Sequence, residues 1–322
     1  MAMLRAMWAG TSACRPRDDV NAGAVEIVEV SPRDGLQDEP VILSTGAKVA
    51  LIERALAAGV RRVEAVSFVR ADRVPTMADA EEVMASITRR PGCRVAGLVL
   101  NERGVERAVA AGVDDVNVVV LVTETFSQRN QGMGVDEALA MWSRVARAAQ
   151  DAGVGASVTL AAAFGCPYEG VVDPLRVREM AVRAAEAGPM EVALADTIGS
   201  AVPPEVDALV RAVGHDTGRP IRVHLHNSRN AGYANAVAAI GAGAAALDAS
   251  IGGIGGCPFA PGAAGNIATE DVVHLLDRMQ IVTGVQLNAL IDASHWLAAE
   301  LGHPLPGQVA RSGTFPAAGG PT

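Results

Sequence analysis

Short apolar segments rich in valine recur along the chain and alternate with longer stretches rich in alanine. The longer stretches place apolar residues at helical spacing, and several end in Ala-Gly-Val, which is typical of a helix that ends and leads into a strand. The apolar segments are residues 24–30, 62–68, 94–100, 115–122, 154–162, 190–196, 221–226 and 244–251. This alternation predicts eight parallel βα units.

The number of units favours one of two α/β architectures. Eight strands are the number that closes a (β/α)8 TIM barrel. A doubly wound open sheet is the competing arrangement, and it would place a glycine-rich phosphate loop after the first strand. The sequence there is instead SPRDGLQDEP, residues 31–40. We therefore predict a single TIM-barrel domain over residues 24–303, with at least one additional C-terminal helix after about residue 284.

The two ends of the chain lack this periodicity. Residues 1–23 are predicted to be a disordered N-terminal extension, and residues 304–322 a flexible tail. A targeting peptide is the alternative for residues 1–23, because basic residues are scattered through them. Two aspartates and the lack of an apolar signal segment favour the disordered extension.

Composition restricts the partners and the compartment. The 322 residues carry a net charge of -9, which argues against nucleic acid and against an anionic membrane surface as partners. No apolar run reaches the roughly 20 residues of a membrane-spanning helix. The four cysteines show no Cys-x-x-Cys spacing, so we expect a reducing compartment and a cytoplasmic protein.

Charged residues gather at the C-terminal ends of five predicted strands. In a TIM barrel, this is the rim where the chemistry takes place. The candidate residues are Arg33, Asp34, Glu64, Asp196, His224 and His226, followed by Cys257 and Asn266 in the glycine-rich segment after the last strand. The pattern predicts an active site at this rim.

The two histidines offer half of a metal site. His224 and His226 are two residues apart on a strand, so both rings point to the same side of the sheet. They are either metal ligands or hydrogen-bonded core histidines, and Asp34 and Asn266 on the same rim favour the metal. Two nitrogens and two oxygens suit Mg²⁺ or Mn²⁺, and imidazole ligands also allow Co²⁺ or catalytic Zn²⁺.

The remaining candidates have roles in charge stabilisation and proton transfer. Arg33 can hold a developing oxyanion, or form an ion pair with Glu64 or Asp196 that secures the barrel, and both roles can coexist. The two carboxylates can support metal ligands, support the arginine or transfer protons. Cys257 is interpreted as a proton-transfer group on a loop that closes over the site, with a purely structural thiol as the alternative.

Several motifs, taken together and in order, resemble the 3-hydroxy-3-methylglutaryl-CoA lyase family of metal-dependent TIM-barrel lyases. The motifs are VEVSPRDGLQDEP, ETFSQRN, GCPYEG, ADTIG, HLHN and GGIGGCPFAPGAAGNIATEDVV. The resemblance runs from about residue 24 to about residue 303. It implies an acyl-CoA substrate, cleavage of a 3-hydroxyacyl-CoA to acetyl-CoA and a keto acid (acetoacetate in the parent reaction), and a homodimer or higher homo-oligomer.

The resemblance also implies a role for each residue of the rim. The implied cation ligands are Asp34, His224, His226 and Asn266. Arg33 would stabilise the thioester enolate oxygen, with Glu64 supporting it. Cys257 and Asp196 would be the proton-transfer groups.

Alternatives concern the acyl group and the reaction. Family members tend to have Asp-Thr after the second histidine, where this chain has Asn227 and Ser228, and a basic residue where it has Pro40. These differences make citramalyl-CoA, or another branched 3-hydroxyacyl-CoA, the alternative substrate. A condensing synthase is less favoured, because synthases of this superfamily usually have RDGEQ and this chain has RDGLQ. A catalytically inactive binding barrel is the third hypothesis, and the intact rim residues argue against it.

Overall fold

The computed structural model describes residues 23–256 and 265–315, and these form a closed barrel of eight parallel strands in sequential order. The strands are β1 Glu26–Glu29, β2 Arg62–Ser67, β3 Arg94–Leu98, β4 Asp115–Leu121, β5 Gly155–Ala161, β6 Val192–Asp196, β7 Ile221–Leu225 and β8 Ala246–Ala249. Strand β1 pairs with both β2 and β8, which closes the ring. The predicted TIM barrel is therefore confirmed, and the doubly wound sheet is excluded.

Helices alternate with the strands and continue beyond the last one. Within the described residues they are α1 Thr45–Ala57, α2 Ala80–Ser86, α3 Glu102–Ala110, α4 Glu124–Gln131, α5 Val135–Asp151, α6 Pro174–Ala185, α7 Pro203–Thr217, α8 Gly232–Gly241, α9 Thr269–Arg278, α10 Leu287–Leu301 and α11 Val309–Ser312. Helices α10 and α11 follow the barrel units, so the additional C-terminal helix is confirmed. None of the helices in the described ranges is both long and apolar enough to cross a membrane.

Part of the stretch predicted as a flexible tail is folded. Helix α11 lies within it, and the Asp271 carboxylate of α9 accepts the backbone N–H groups of Gln308 at 2.9 Å and Val309 at 2.7 Å. These bonds satisfy donors at the start of α11 and attach the segment to the barrel. The predicted N-terminal extension, apart from residue 23, and the end of the tail, residues 316–322, lie outside the described residues.

The apolar core lies between the strands and the helices that cover them. Leu160 of β5 and Leu51 of α1 are fully buried there. Trp142 of α5 is also fully buried, and its indole N–H donates to the Ala184 carbonyl of α6 at 2.8 Å. That bond satisfies the polar atom of the largest fully buried side chain among the described residues and links α5 to α6.

The inside of the barrel, in contrast, is charged. Arg62 of β2 and Arg222 of β7 are almost completely buried, and both form ion pairs with Glu191 at 2.7 Å. Arg222 also pairs with Asp248 of β8 at 2.7 Å. Because a buried charge is costly without a partner, these residues depend on one another for stability.

Candidate functional site

The chain leaves β1 through a single π-helical turn, Ser31–Gly35, that presents Arg33 and Asp34 at the rim. Buried Glu29 at the end of β1 fixes this turn, since its carboxylate accepts the Ser31 N–H at 2.8 Å and the Ile251 N–H at 2.9 Å. Burial raises the pKa of Glu29 despite these hydrogen bonds. The first turn and the segment after β8 are therefore attached to one carboxylate.

Four residues predicted as cation ligands come together beside this turn. One possible ligand atom from each of Asp34, His224 and His226 lies within 4.8 Å of the other two. Nε2 of His224 is 3.9 Å from Oδ2 of Asp34. The Asn266 amide donates to the same Oδ2 at 2.8 Å, and its backbone pairs with that of His226 in an isolated β-bridge. The chain thus places two imidazoles, a carboxylate and an amide around one point.

The ionisation of Asp34 and His226 suits cation binding. Burial alone would raise the pKa of Asp34, but Arg33, the histidines and the Asn266 amide lower it to about 2. Burial and the neighbouring His224 lower the pKa of His226 to about 4. At neutral pH the carboxylate is therefore ionised and the His226 imidazole neutral, the forms in which both bind metals.

A buried nitrogen without a partner is compatible with a bound cation. Nδ1 of His226 is buried and has no hydrogen-bond partner among the described residues. Buried polar atoms normally have a partner, and a cation would provide one to a nitrogen lone pair. The donor set of nitrogen and oxygen atoms, without a thiolate among the described residues, fits an octahedral divalent cation.

The orientation of His224 is fixed by a residue of the next strand. Its Nδ1 lies 3.1 Å from Oδ2 of Asp248, and Arg222 donates to both oxygens of that carboxylate at 2.7 Å. Burial would raise the pKa of Asp248, but Arg222 and His224 hold it well below its usual range. Burial lowers the pKa of His224, but the hydrogen bond to Asp248 and the charge of Asp34 raise it overall. The Asp248 carboxylate accepts the Nδ1 proton, so Nε2 is the nitrogen that faces Asp34, and it offers a lone pair there when the ring is neutral.

Arg33 joins the cation cluster to the charged interior. Its guanidinium forms an ion pair with Glu64 and donates through Nη1 to Oδ1 of Asp34 at 2.8 Å. The other oxygen of Glu64 accepts a hydrogen bond from the Asn117 amide at 2.8 Å. The ion pair considered from the sequence is therefore present with Glu64, and it holds the guanidinium beside the cluster.

Of the two residues predicted to transfer protons, only Asp196 lies within the described residues. Asp196, at the end of β6, is completely buried and accepts the N–H groups of Ser200 at 2.8 Å and Ala201 at 3.1 Å. Burial raises the pKa of Asp196 against these hydrogen bonds, so the site favours its protonated form more than water does. Cys257 lies outside the described residues, and its role stays a prediction.

Sequence reasoning missed the residues that support the site from inside the barrel. These are Arg222, Asp248 and Asn117, all nearly fully buried. A signal for two of them was present, because polar residues two positions apart interrupt apolar strands at Asp115 and Asn117 and at Arg222 and His224. Period two places both members of a pair on the same face of a strand.

Comparisons with known proteins cover nearly the whole chain. A family model described as HMGL-like matches residues 24–297. An (R)-citramalyl-CoA lyase of Chloroflexus aurantiacus is 46% identical over 301 residues, which cover 90% of this chain and 95% of the relative. The mitochondrial hydroxymethylglutaryl-CoA lyase of Mus musculus is 39% identical over 289 residues, which cover 89% of each.

The fold of this chain also matches that of a solved structure. An HMG-CoA lyase of Acinetobacter baumannii, in complex with coenzyme A and 3-methylmalate, matches with a TM-score of 0.88 and 36% sequence identity. The match covers 94% of this chain and 99% of that protein. The likeness therefore extends over the complete barrel and its rim.

Proposed function

Because this chain belongs to the HMGL-like family and is a carbon–carbon lyase, we propose that it cleaves a branched 3-hydroxyacyl-CoA to acetyl-CoA and a keto acid with the help of a divalent cation. One observation carries this proposal. The Arg33 guanidinium and the Asn266 amide both bond to Asp34, whose carboxylate faces His224 and His226. A cationic donor and a cluster of cation ligands therefore adjoin one point of the rim.

Two substrates fit the proposal. The first is 3-hydroxy-3-methylglutaryl-CoA, which would give acetoacetate. The second is citramalyl-CoA, which would give pyruvate. The 39% identity to a hydroxymethylglutaryl-CoA lyase supports the first substrate, and the 46% identity to an (R)-citramalyl-CoA lyase supports the second. The two molecules differ by one methylene between the carbinol carbon and the distal carboxylate. A pocket typically discriminates one methylene by about 1–3 kcal/mol, so side activity on the second substrate is expected.

In the proposed site, Asp34, His224, His226 and Asn266 would hold Mg²⁺ or Mn²⁺, with Co²⁺ or Zn²⁺ as further candidates. A bound cation would lower the pKa of the substrate's tertiary hydroxyl and help to hold the distal carboxylate. Asp248 holds the His224 imidazole in the tautomer that leaves Nε2 free for the cation. These residues arrange the alcohol end of the substrate.

Arg33 and the proton-transfer residues act on the thioester end. The hydroxyl loses its proton, the bond between the carbinol carbon and the thioester CH₂ breaks, and the electron pair moves to the thioester as an enolate. Arg33 donates hydrogen bonds to the enolate oxygen, and Glu64 keeps its guanidinium at the rim. The enolate carbon then takes a proton and becomes the methyl group of acetyl-CoA. Asp196 and Cys257 are the candidates to move these protons.

The substrate is tested by incubating the metal-loaded protein with 3-hydroxy-3-methylglutaryl-CoA and with each enantiomer of citramalyl-CoA. Acetyl-CoA, acetoacetate and pyruvate are measured. We expect release of acetyl-CoA together with one keto acid, abolished by EDTA and restored by Mg²⁺ or Mn²⁺. Asp34→Asn should lower both cation affinity and turnover, whereas Asp136→Asn, an exposed residue paired with Arg183, should change neither.

Three results would contradict the proposal. Free CoA formed from acetyl-CoA and a keto acid would indicate the condensing synthase. Absence of both cation binding and turnover on all three thioesters would indicate the inactive binding barrel. Unchanged cation-dependent turnover in Asp34→Asn would refute the ligand assignment.

The expected cytoplasmic location and homo-oligomeric state rest on composition and on the family resemblance. Fractionation of the source cells tests the location. Size-exclusion chromatography with light scattering tests the oligomeric state, and a dimer or larger assembly is the expected result.

A further inference from the structure

The segment that follows α10 lies across the rim and contacts two of the segments that carry candidate cation ligands. At its start, Nε2 of His303 lies 3.0 Å from Oε2 of Glu39, in the segment that follows β1. At its end, the N–H of Gly307 donates to the carbonyl of Gly252, in the segment that follows β8, at 2.9 Å. Residues 303–307, which we call the C-terminal strap, therefore connect the first and the last loop of the rim.

The strap packs against Gly252 with no spare room. Gly252 has a φ of +73°, and a Cβ at this position would collide with the buried side chain of Leu305. A Cβ at Gly307 would likewise collide with Oε1 of Glu270, while Oε2 of that carboxylate accepts the Gly252 N–H at 3.0 Å. Glycine at both positions allows this close approach. The turn at Gly252 thus depends on the strap for one wall of its packing.

The same turn leads to a candidate cation ligand. Two residues after Gly252, the carbonyl of Ile254 accepts a hydrogen bond from the side-chain amide of Asn266 at 3.0 Å. The same amide nitrogen also donates to Oδ2 of Asp34 at 2.8 Å. With both N–H bonds engaged, Oδ1 is the atom of the Asn266 side chain that remains for a cation. A shift of the Gly252 turn would therefore move Ile254 and rotate this amide.

An ion pair fastens the start of the strap. Nε2 of His303 faces Glu39, and its Nδ1 lies 3.2 Å from the carbonyl oxygen of Pro304, so both ring nitrogens face acceptors. Both can donate only in the protonated ring. The Pro304 carbonyl and Glu39 raise the pKa of His303 against the effect of burial, and Glu39 is the only charged group among the described residues that acts on the ring. Asp38 repels Glu39 in turn. The pair is therefore present at low pH and is lost as the pH rises through this raised pKa.

We propose that His303 and Glu39 are positioning residues for the candidate cation site. Their ion pair fastens the C-terminal strap, and the strap holds the Gly252 turn so that Asn266 presents Oδ1 to the cation. This inference rests on the cation site of the proposed function. Neither residue of the pair belongs to the ligand cluster, so breaking the pair should weaken cation binding with every ligand still in place.

The first test is calorimetric titration of the full-length protein with Mn²⁺ over the range from about pH 6 to about pH 8.5. At the acidic end, His303→Gln and Glu39→Gln should each raise the Kd roughly twofold to fivefold, the size expected for a partly exposed ion pair. The gap between wild type and His303→Gln should narrow as the pH rises, because His303 loses its proton. His303→Lys, which keeps a cation throughout, should retain its advantage over His303→Gln.

The second test is hydrogen exchange of the cation-free protein at about pH 6, which reports on the strap without the metal. The amides of Gly252 and Gly307 should exchange faster in His303→Gln than in wild type, because the strap is released at its start. Leu305→Ala acts at the other end of the strap and should have the same effect. Both variants should also raise the Kd of Mn²⁺.

The control is His215→Gln on α7. The His215 ring also lies beside a carboxylate, that of Asp216 at 3.2 Å, but it is far along the chain from the strap, so neither exchange nor the Kd should change. If wild type binds Mn²⁺ and the variants of His303 and Glu39 bind it equally well, the positioning role is refuted while the proposed function survives. Faster exchange with an unchanged Kd also refutes it, since the strap would then support only the fold. If wild type binds no Mn²⁺, the proposed cation site fails, and the positioning role with it.

Discussion

Replacing Asp248 by asparagine separates the orientation of a cation ligand from the general stability of the barrel. The Asp248 carboxylate is 4% exposed and lies between the Arg222 guanidinium, at 2.7 Å, and Nδ1 of His224, at 3.1 Å. Asn keeps the shape but removes the charge. It also directs an NH₂ group toward either the Arg222 guanidinium or Nδ1 of His224. Both of these groups are donors, so the new NH₂ group has no acceptor there.

Two magnitudes follow from these contacts. Breaking a buried ion pair typically costs about 3–5 kcal/mol, and the amide oxygen of Asn retains one acceptor, so we expect a loss near the lower end, about 3 kcal/mol. Loss of the carboxylate that orients a metal-binding histidine typically lowers cation affinity about 10–100-fold. The loss of stability can be measured in the absence of a cation, whereas the loss of affinity can be measured only by adding one.

The assay measures the two effects separately. Urea unfolding in EDTA gives the free energy of unfolding without a cation, and calorimetric titration with Mn²⁺ under folding conditions gives the affinity. Asp207→Asn is the matched control, because it removes an exposed pair with Arg211 on α7 that contributes only about 0.3–0.5 kcal/mol. If Asp248→Asn is destabilised yet binds Mn²⁺ like wild type, Asp248 does not orient His224. If the variant has both the stability and the Mn²⁺ affinity of wild type, the ion pairs of Asp248 contribute nothing measurable to either.

Three further predictions concern other parts of the barrel. Gly255→Ala should weaken cation binding in calorimetry, because the φ of Gly255 is +104° and a Cβ there would lie 2.4 Å from the Asn266 amide nitrogen. The control is Gly46→Ala on α1, where a Cβ would meet open space and cation binding should not change. Burial raises the pKa of Glu270 to about 7, so ionisation is costlier in the folded protein and wild type should lose stability between about pH 4.5 and 7. Urea unfolding of Glu270→Gln should show a smaller loss than wild type over this pH range and, at pH 8, a gain on the order of 3 kcal/mol over wild type; equal pH profiles would contradict this. Leu160→Ala should lower the free energy of unfolding by about 2–5 kcal/mol in the same assay, and a smaller loss would mean that the core refills the space.

The sequence pattern predicted every strand of the barrel, but each apolar segment is one to four residues longer than its strand. The first apolar segment covers residues 24–30, whereas β1 is Glu26–Glu29, and the last covers 244–251, whereas β8 is Ala246–Ala249. Apolar runs mark which residues are buried, and burial extends beyond the residues that make ladder hydrogen bonds. Strand β1 pairs with β8 over Glu26–Glu29 and with β2 only at Val28 and Glu29, so its ladder is shorter than the apolar segment.

The rim residues could be predicted because their positions after strands bring them together in any such barrel. Arg33, Asp34 and His224 are examples. The support inside the barrel could not be predicted in the same way, since its partners come from distant strands. Arg222 donates to Asn117 at 3.4 Å across 105 residues of sequence, and no local pattern records such a pairing. The sequence therefore shows that polar residues such as Arg222 and Asn117 interrupt apolar strands, but it does not show which residues they contact.

The candidate cation site joins the two ends of the folded chain. Asp34 follows β1, and Asn266, 232 residues later, follows β8, the strand that pairs with β1. The complete ligand set consequently exists only after the last strand has reached the first. A cation bound there favours the closed ring over every partly assembled form, by an amount that grows with its concentration relative to its Kd. Metal supply would then influence the fraction of chains with a closed ring, as well as how fast the mature protein works.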